Sequence, residues 1–488
     1  MEPKPRGLLD LGEPCATFTL TTEVTKNSIL SFPRFLVEAS NQGRFGQIAA
    51  GNFNHIAGEH GKFLVFDAKW YPRGYEAVVR IKLDSPLIVD IFSKQGPNQE
   101  FAKRLEDYLL LMLQAFEEIV RSETIYMTFM PGQEKTSRLA IQRKFSEKFL
   151  TGNMLNLFLL SIIIGVIIIL IFGTEIGPIV LVVMILAIML SAGKIAAMTS
   201  DWRITKEHPE VVIVKCKLNS AMVGSFMRMY GDRLPSLKKR IYSFMTEKNR
   251  QATPEEISRF FFEAGINIPP EEIIVKRINV YEIVRRAAEK FRAPVPTIMI
   301  TRNIKPNAAA TGVSKHLATI LITIGLLIQL EEHEIELVVG HEMSHLRFGD
   351  PAILFTVFSC EYLARVYVYY DVIAPIWPIY LFFIFYMIFF VGKLLEARAD
   401  LEAAYILRDP RTMATSLKKI GFRRLILDER FIEGKESTLE DWFAFDSHPP
   451  IGYRIRRLES LDLNNAPKHT FLKSISDVFH GIRNAMTR

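Results

Sequence analysis

Between Ala16 and Phe92, short runs of β-branched and aromatic residues are separated by turn residues. ATFTLTTEVT, KFLVFDAKW, YEAVVRIKL and LIVDIF alternate in part between apolar and polar positions and predict strands. The period changes at Asn98. NQEFAKRLEDYLLLMLQAFEEIV repeats its apolar residues at helical spacing as far as Val120, which predicts an amphipathic helix. Residues 1–133 therefore read as a small soluble α+β domain, with no motif that carries chemistry.

The pattern then becomes almost wholly apolar. Met154 to Gly173 and Ile176 to Gly193 each approach the roughly 20 residues that a bilayer-spanning helix needs. Only TEIGP separates them, so residues 154–193 predict a tight transmembrane hairpin. Residues 203–350 are polar again. TPEEISRFFFEAGI opens with Thr253 as N-cap, Pro254 in the first turn and Glu256 completing a capping box. NVYEIVRRAAEKF predicts another amphipathic helix, and PTIMI and ATILITIG predict strands. Two further apolar stretches, Pro351 to Tyr370 and Ile376 to Val391, predict a second hairpin over 351–392. Glu361 and Arg365 interrupt the first of these; four apart on a helix, they read as an ion pair facing the bundle, with a substrate groove or a half-inserted span as the alternatives. Residues 393–488 are polar, basic and helical in pattern.

Composition agrees with mixed soluble and membrane parts. Hydrophobic residues make up 49% and charged residues 23% of the 488-residue chain, and mean hydropathy is +0.15. The net charge of +7 reads as loops beside anionic lipid. No basic run interleaved with aromatics points to nucleic acid. Arg138, Arg143, Lys144 and Lys148 precede the first hairpin and Lys194, Arg203 and Lys206 follow it, whereas its tip carries only Glu175. The positive-inside rule puts these outer flanks in the cytoplasm. MEPKPRGLLDLGEP has no apolar signal core, so entry through an internal span is expected. Cys15, Cys216 and Cys360 form no CxxC and predict neither disulfides nor a thiolate metal site.

VVGHEMSHLRFGDP, from Val338 to Pro351, supplies the chemistry. His341 and His345 stand at i and i+4, so a helix puts both imidazoles on one face. Glu342 beside them suits a base for a metal-bound water. Gly349 suits the helix C-cap and Pro351 cannot continue the helix. A catalytic zinc needs a third protein ligand. KLLEARAD supplies Glu396 and Asp400, again four apart, beyond a predicted hairpin that returns the chain to its starting side. Glu396 is the expected third ligand, and Asp400 is expected to orient a histidine through its other ring nitrogen. His333 reads as a solvent-side residue, and His55 and His60 as surface loop residues. The site should lie about 10 Å from the start of the third predicted span, which favours membrane proteins or tethered peptides as substrates.

HEMSHLRFGD, EARADLEAA, PNAAATG, ITIGLLIQL and SHPPIGYRIRRL stand in the order found in HtpX-type membrane metalloproteases, a gluzincin family that also contains the CaaX prenyl endopeptidases. The chain resembles that family over roughly Tyr281 to Leu461 and the upstream hairpin. The resemblance implies α+β architecture with transmembrane helices: a mainly helical zincin-type protease domain on about four spans, beside the N-terminal α+β domain. It implies one zinc ion per chain, held by His341, His345 and Glu396, with Glu342 as general base and His448 stabilising the oxyanion. It implies an edge strand that aligns substrate, with Asn307 as polar anchor and Ala308 and Ala309 along it. Many relatives carry an aromatic where Ala309 stands, which implies a roomier subsite. Arg454 matches a family arginine that is either structural or substrate-facing, and Tyr453 stands where relatives often carry Glu.

The expected activity is hydrolysis of peptide bonds in membrane or membrane-associated proteins at the cytoplasmic face, in quality control or processing. The expected location is a prokaryotic plasma membrane, crossed several times, with an endoplasmic-reticulum membrane as the alternative host. The N-terminal domain is a candidate site for a protein partner. The competing class is a membrane scaffold that retains zinc without cleaving; an intact Glu342 argues against it.

Overall fold

The computed structural model describes residues 12–41, 47–58, 61–131, 154–218, 223–247, 253–312 and 318–487. Arg138, Arg143, Lys144, Lys148 and His60 lie outside the described residues. The chain divides into two compact units. One holds residues 1–131, 211–277 and 417–436; the other holds 132–210, 278–416 and 437–488.

The first unit is built on a five-stranded antiparallel sheet, in the order β1 (Ala16–Leu20), β5 (Leu87–Phe92), β4 (Tyr75–Lys82), β3 (Gly61–Trp70) and β2 (Ile48–Gly58). Alternate residues of β3, namely Leu64, Phe66, Ala68 and Trp70, enter one core. Helix α1 (Gln99–Ser122) fills the same core with Phe101, Leu105, Tyr108, Met112, Leu113 and Phe116. Full burial of each such side chain contributes about 1.5–3 kcal/mol. The Asn98 side chain caps α1 by accepting from the Phe101 amide. Strand β2 escapes the sequence pattern because it is an edge strand rich in small and polar residues. Its register shifts between Gly51 and Asn54, with Asn52 at φ 52°. A second sheet of this unit joins β6 (Thr124–Phe129), β8 (Glu210–Lys217) and β9 (Ile273–Asn279). Thr253 and Glu256 form the expected capping box on the helix Pro254–Glu263.

The second unit begins with α2 (Met154–Thr199), which breaks at Gly173, at φ 76° and ψ 172°. Its two legs fold back on each other: a Cβ on Gly177 would meet the Ile169 Cα at 3.0 Å, and one on Gly165 would meet Leu181 at 3.4 Å. A four-stranded sheet follows, ordered β11 (Ala308–Thr311), β12 (Thr319–Thr323), β10 (Thr297–Thr301) and β7 (Trp202–Ile204). Its central β10–β12 pair is parallel and β11 is an outer edge. Helix α3 (Val280–Lys290) packs on α4 (Glu332–Phe348), and Arg286 and Lys290 both bind Glu336. Next come α5 (Asp350–Tyr367), α6 (Trp377–Leu407), α7 (Ile451–Glu459) and α8 (Thr470–Met486).

Among the described residues, two helical stretches are long and apolar enough to cross a membrane, Ile163–Ala196 and Tyr370–Leu407, where the sequence pattern predicts four spans. Two features account for the difference. The two predicted spans of 154–193 form one stretch because the helix resumes immediately after Gly173. The predicted span over 351–370 carries Glu361 and Arg365 inside an 18-residue helix. These two form the expected pair at 2.8 Å, and the Tyr380 hydroxyl also donates to Glu361 at 2.8 Å.

Candidate metal centre

Helix α4 carries the HExxH segment along its length and ends as its sequence dictates. Gly349 adopts the left-handed conformation, φ 70°, and its amide closes the helix on the His345 carbonyl. Helix α6 crosses it closely. A Cβ on Gly340 would meet Leu407 Cδ1 at 2.3 Å, so any larger residue would force the Leu407 side chain to shift. Glu396 on α6 thereby meets the two histidines of α4.

The three donors converge. The Nε2 atoms of His341 and His345 are 3.2 Å apart. His341 Nε2 is 3.2 Å from Glu396 Oε2, and His345 Nε2 is 3.3 Å from Glu396 Oε1. A tetrahedral zinc with bonds of about 2.0–2.1 Å places its ligand atoms about 3.3 Å apart, so all three separations suit one ion. The opposite ring nitrogens both face carboxylates: His345 Nδ1 is hydrogen-bonded to Asp350 at 2.7 Å, and His341 Nδ1 lies 3.0 Å from Asp400. With the proton on Nδ1, each Nε2 lone pair points into the cluster.

The surroundings favour positive charge. Burial alone would lower the His345 pKa, but Asp350 and Glu396 outweigh it and push it up to about 10. His341 is raised in the same way, against burial, by Asp400 and Glu396. Around the donors, the carboxylates Glu342, Asp350, Glu396, Asp400 and Glu402 face the guanidiniums of Arg347, Arg398 and Arg454. The donor set and its spacing fit zinc.

Asp350 is the residue that the sequence reading passed over. Its carboxylate binds both His345 and Arg398, the latter at 2.6 Å; Arg398 is fully buried and also binds Glu402 at 3.1 Å. The available signal was Asp350's place next to the helix-ending Gly349.

The other predicted site residues fall around this centre. Glu342 Oε2 accepts the Ala310 amide of β11 at 2.8 Å. Asn307, Ala308 and Ala309 lie at the start of that edge strand; the Asn307 amide donates to Thr323 Oγ1 at 2.8 Å, and Ala309 is exposed. His448 Nε2 is 3.7 Å from Glu396 Oε2, while its Nδ1 is held by Asp446 at 2.9 Å. Arg454 is buried and forks onto both oxygens of Asp400 at 2.7 and 2.8 Å. His333 lies away from the cluster, against Asp409 at 2.8 Å, and His55 is on β2.

Comparisons with known proteins agree with this arrangement. Residues 276–462 match peptidase family M48. The protease HtpX of Idiomarina loihiensis is 27% identical over 205 residues, covering 37% of this chain and 71% of that protein. An HtpX homologue from Thermoanaerobacter pseudethanolicus is 29% identical over 228 residues, covering 40% and 74%. Another, from Thermodesulfovibrio yellowstonii, is 29% identical over 217 residues, covering 38% and 75%. Residues 276–462 thus carry a peptidase M48 domain, and the comparisons support an HtpX-like membrane metalloprotease.

Proposed function

We propose that this metalloendopeptidase uses one zinc ion, held by His341, His345 and Glu396, to cleave membrane or membrane-associated proteins at the cytoplasmic face, in quality control or processing. The observation that carries the reading is the mutual 3.2–3.3 Å spacing of three donors whose outer atoms are already oriented. When bound, zinc acts as a Lewis acid and lowers the pKa of a coordinated water towards about 7.

The chain's own residues do the rest. Ala310 holds one oxygen of Glu342, which leaves the other to take a proton from the attacking water and return it to the leaving amine. The outer edge of β11 pairs with the substrate backbone, anchored at Asn307 and lined by Ala308 and Ala309. The small side chain of Ala309 leaves room for a bulky substrate residue. His448, oriented by Asp446, donates to the oxyanion of the tetrahedral intermediate. Asp400 and Asp350 fix the two imidazoles, and Arg454 fixes Asp400.

The test is cleavage of an unfolded membrane-protein substrate by wild type and Glu342→Gln at equal bound zinc. Cleavage by wild type alone is expected. Equal rates would overturn the assignment of Glu342, and zinc retention without turnover in either would favour a scaffold.

A further inference from the structure

The segment that leads to His448 carries aromatic side chains where a soluble loop would carry polar ones. Trp442 is buried against α8, but Phe443 and Phe445 are 46% and 56% exposed. Both rings pack on α6 well before it reaches Glu396. Phe445 lies 5.7 Å from Phe382 and 5.7 Å from Phe389, and Phe443 stacks on Tyr386 at 5.2 Å. The apolar run of α6 ends at Val391. At about 1.5 Å per residue, a ring between Phe382 and Phe389 sits about 8 Å inside that boundary. Phe382 itself is 62% exposed, so the loop extends the apolar outer surface of the helix.

Irregular backbone at such a depth is tolerated only where its polar groups are satisfied. Lys393 meets this need. It is 1% exposed, and its Nζ donates to the carbonyls of Ala444 at 2.9 Å and Asp446 at 2.5 Å, on either side of Phe445. Gly392 makes room for the loop; a Cβ there would meet Ser447 Cβ at 3.0 Å. One turn further along α6 stands Glu396.

We propose that Phe443 and Phe445 form a wedge inserted among lipid acyl chains beside α6, so that the bilayer and Lys393 together hold the loop that carries His448. The proposal rests on the reading of α6 as a membrane span. Its partner is the acyl-chain region of the bilayer, because the wedge is continuous with the apolar face of that span. The wedge places one wall of the metal centre in direct mechanical contact with the membrane.

The test uses the full chain in nanodiscs, with Cys15, Cys216 and Cys360 replaced. An environment-sensitive fluorophore is attached in turn to Phe445→Cys, Phe382→Cys and Ser460→Cys, and lipids bearing a quencher in mid-chain are added. Comparable loss of emission at the first two sites, with none at Ser460→Cys, is expected. Quenching at Phe382→Cys without quenching at Phe445→Cys would overturn the wedge and leave the span standing. No quenching at either would overturn the wedge together with the span. A Phe443→Ser/Phe445→Ser variant adds a functional readout: kcat falls in nanodiscs while bound zinc stays at the wild-type level. An unchanged kcat would overturn the link to His448.

Discussion

A buried ionic cluster in each unit is completed differently. In the first unit, Glu23 binds Arg121 and lies 3.3 Å from Lys215, while Glu117 accepts from Thr22, from the Glu23 amide and from Gln114. The partners of both carboxylates come from the same chain, so this cluster is closed. In the second unit, the carboxylates exceed the guanidiniums, and two imidazole nitrogens face each other at 3.2 Å with Glu396 against both. Such a convergence of donor atoms is of the kind a single cation completes. Burial of charge by itself therefore does not mark a site. The mark is a set of convergent donors whose far sides lie against carboxylates.

Removing the cation should break this contrast most sharply. Chelation, or Glu396→Gln, is expected to abolish proteolysis and to speed hydrogen exchange in α4 and α6, with α1 unchanged. Mass-spectrometric exchange measured with and without chelator checks this; equal acceleration in α1 would mean that the two clusters are not independent. Asp350→Asn should have the next largest effect. It weakens the hold on His345 Nδ1 and should reduce zinc affinity about 10–100-fold. Glu23→Gln, its counterpart in the closed cluster, should leave affinity unchanged. Competition with a chromophoric chelator measures both.

The smallest effect sharpens the closed cluster. Burial, and then the Glu23 charge, push the Glu117 pKa up to about 7 from the ordinary 4.5. Between those values the folded state binds the proton more tightly than the unfolded chain does. The stability from this group is therefore full below about 4.5 and is lost as pH rises through about 7. Glu117→Gln should flatten that slope in thermal unfolding midpoints across the same range. An unaltered slope would assign the pH dependence to other groups.

Local rules made much of this protein legible. Helical periodicity alone puts His341 and His345 on one face and ends their helix at Gly349, because those relations depend on backbone geometry within a few residues. The i, i+4 spacing of Glu396 and Asp400 is local in the same sense. Their return to the histidines was expected from a predicted hairpin over 351–392, of which only the second arm is apolar enough to cross a membrane. Strand β2 was not legible, because an edge strand with a bulge has neither alternation nor a buried face to enforce it.

Other relations depend on which distant segment packs against which, and no local period encodes that. Asp350 as the partner of His345, the Ala310 amide on Glu342 and Arg454 on Asp400 are of this kind. So is Lys393 beneath the loop of Phe445. The sequence by itself determined the donor atoms and the helices that carry them, because turn geometry and apolar period act over short distances. Only the tertiary structure decided what holds each donor in place, because hydrogen-bond partners far apart in the chain are selected by packing.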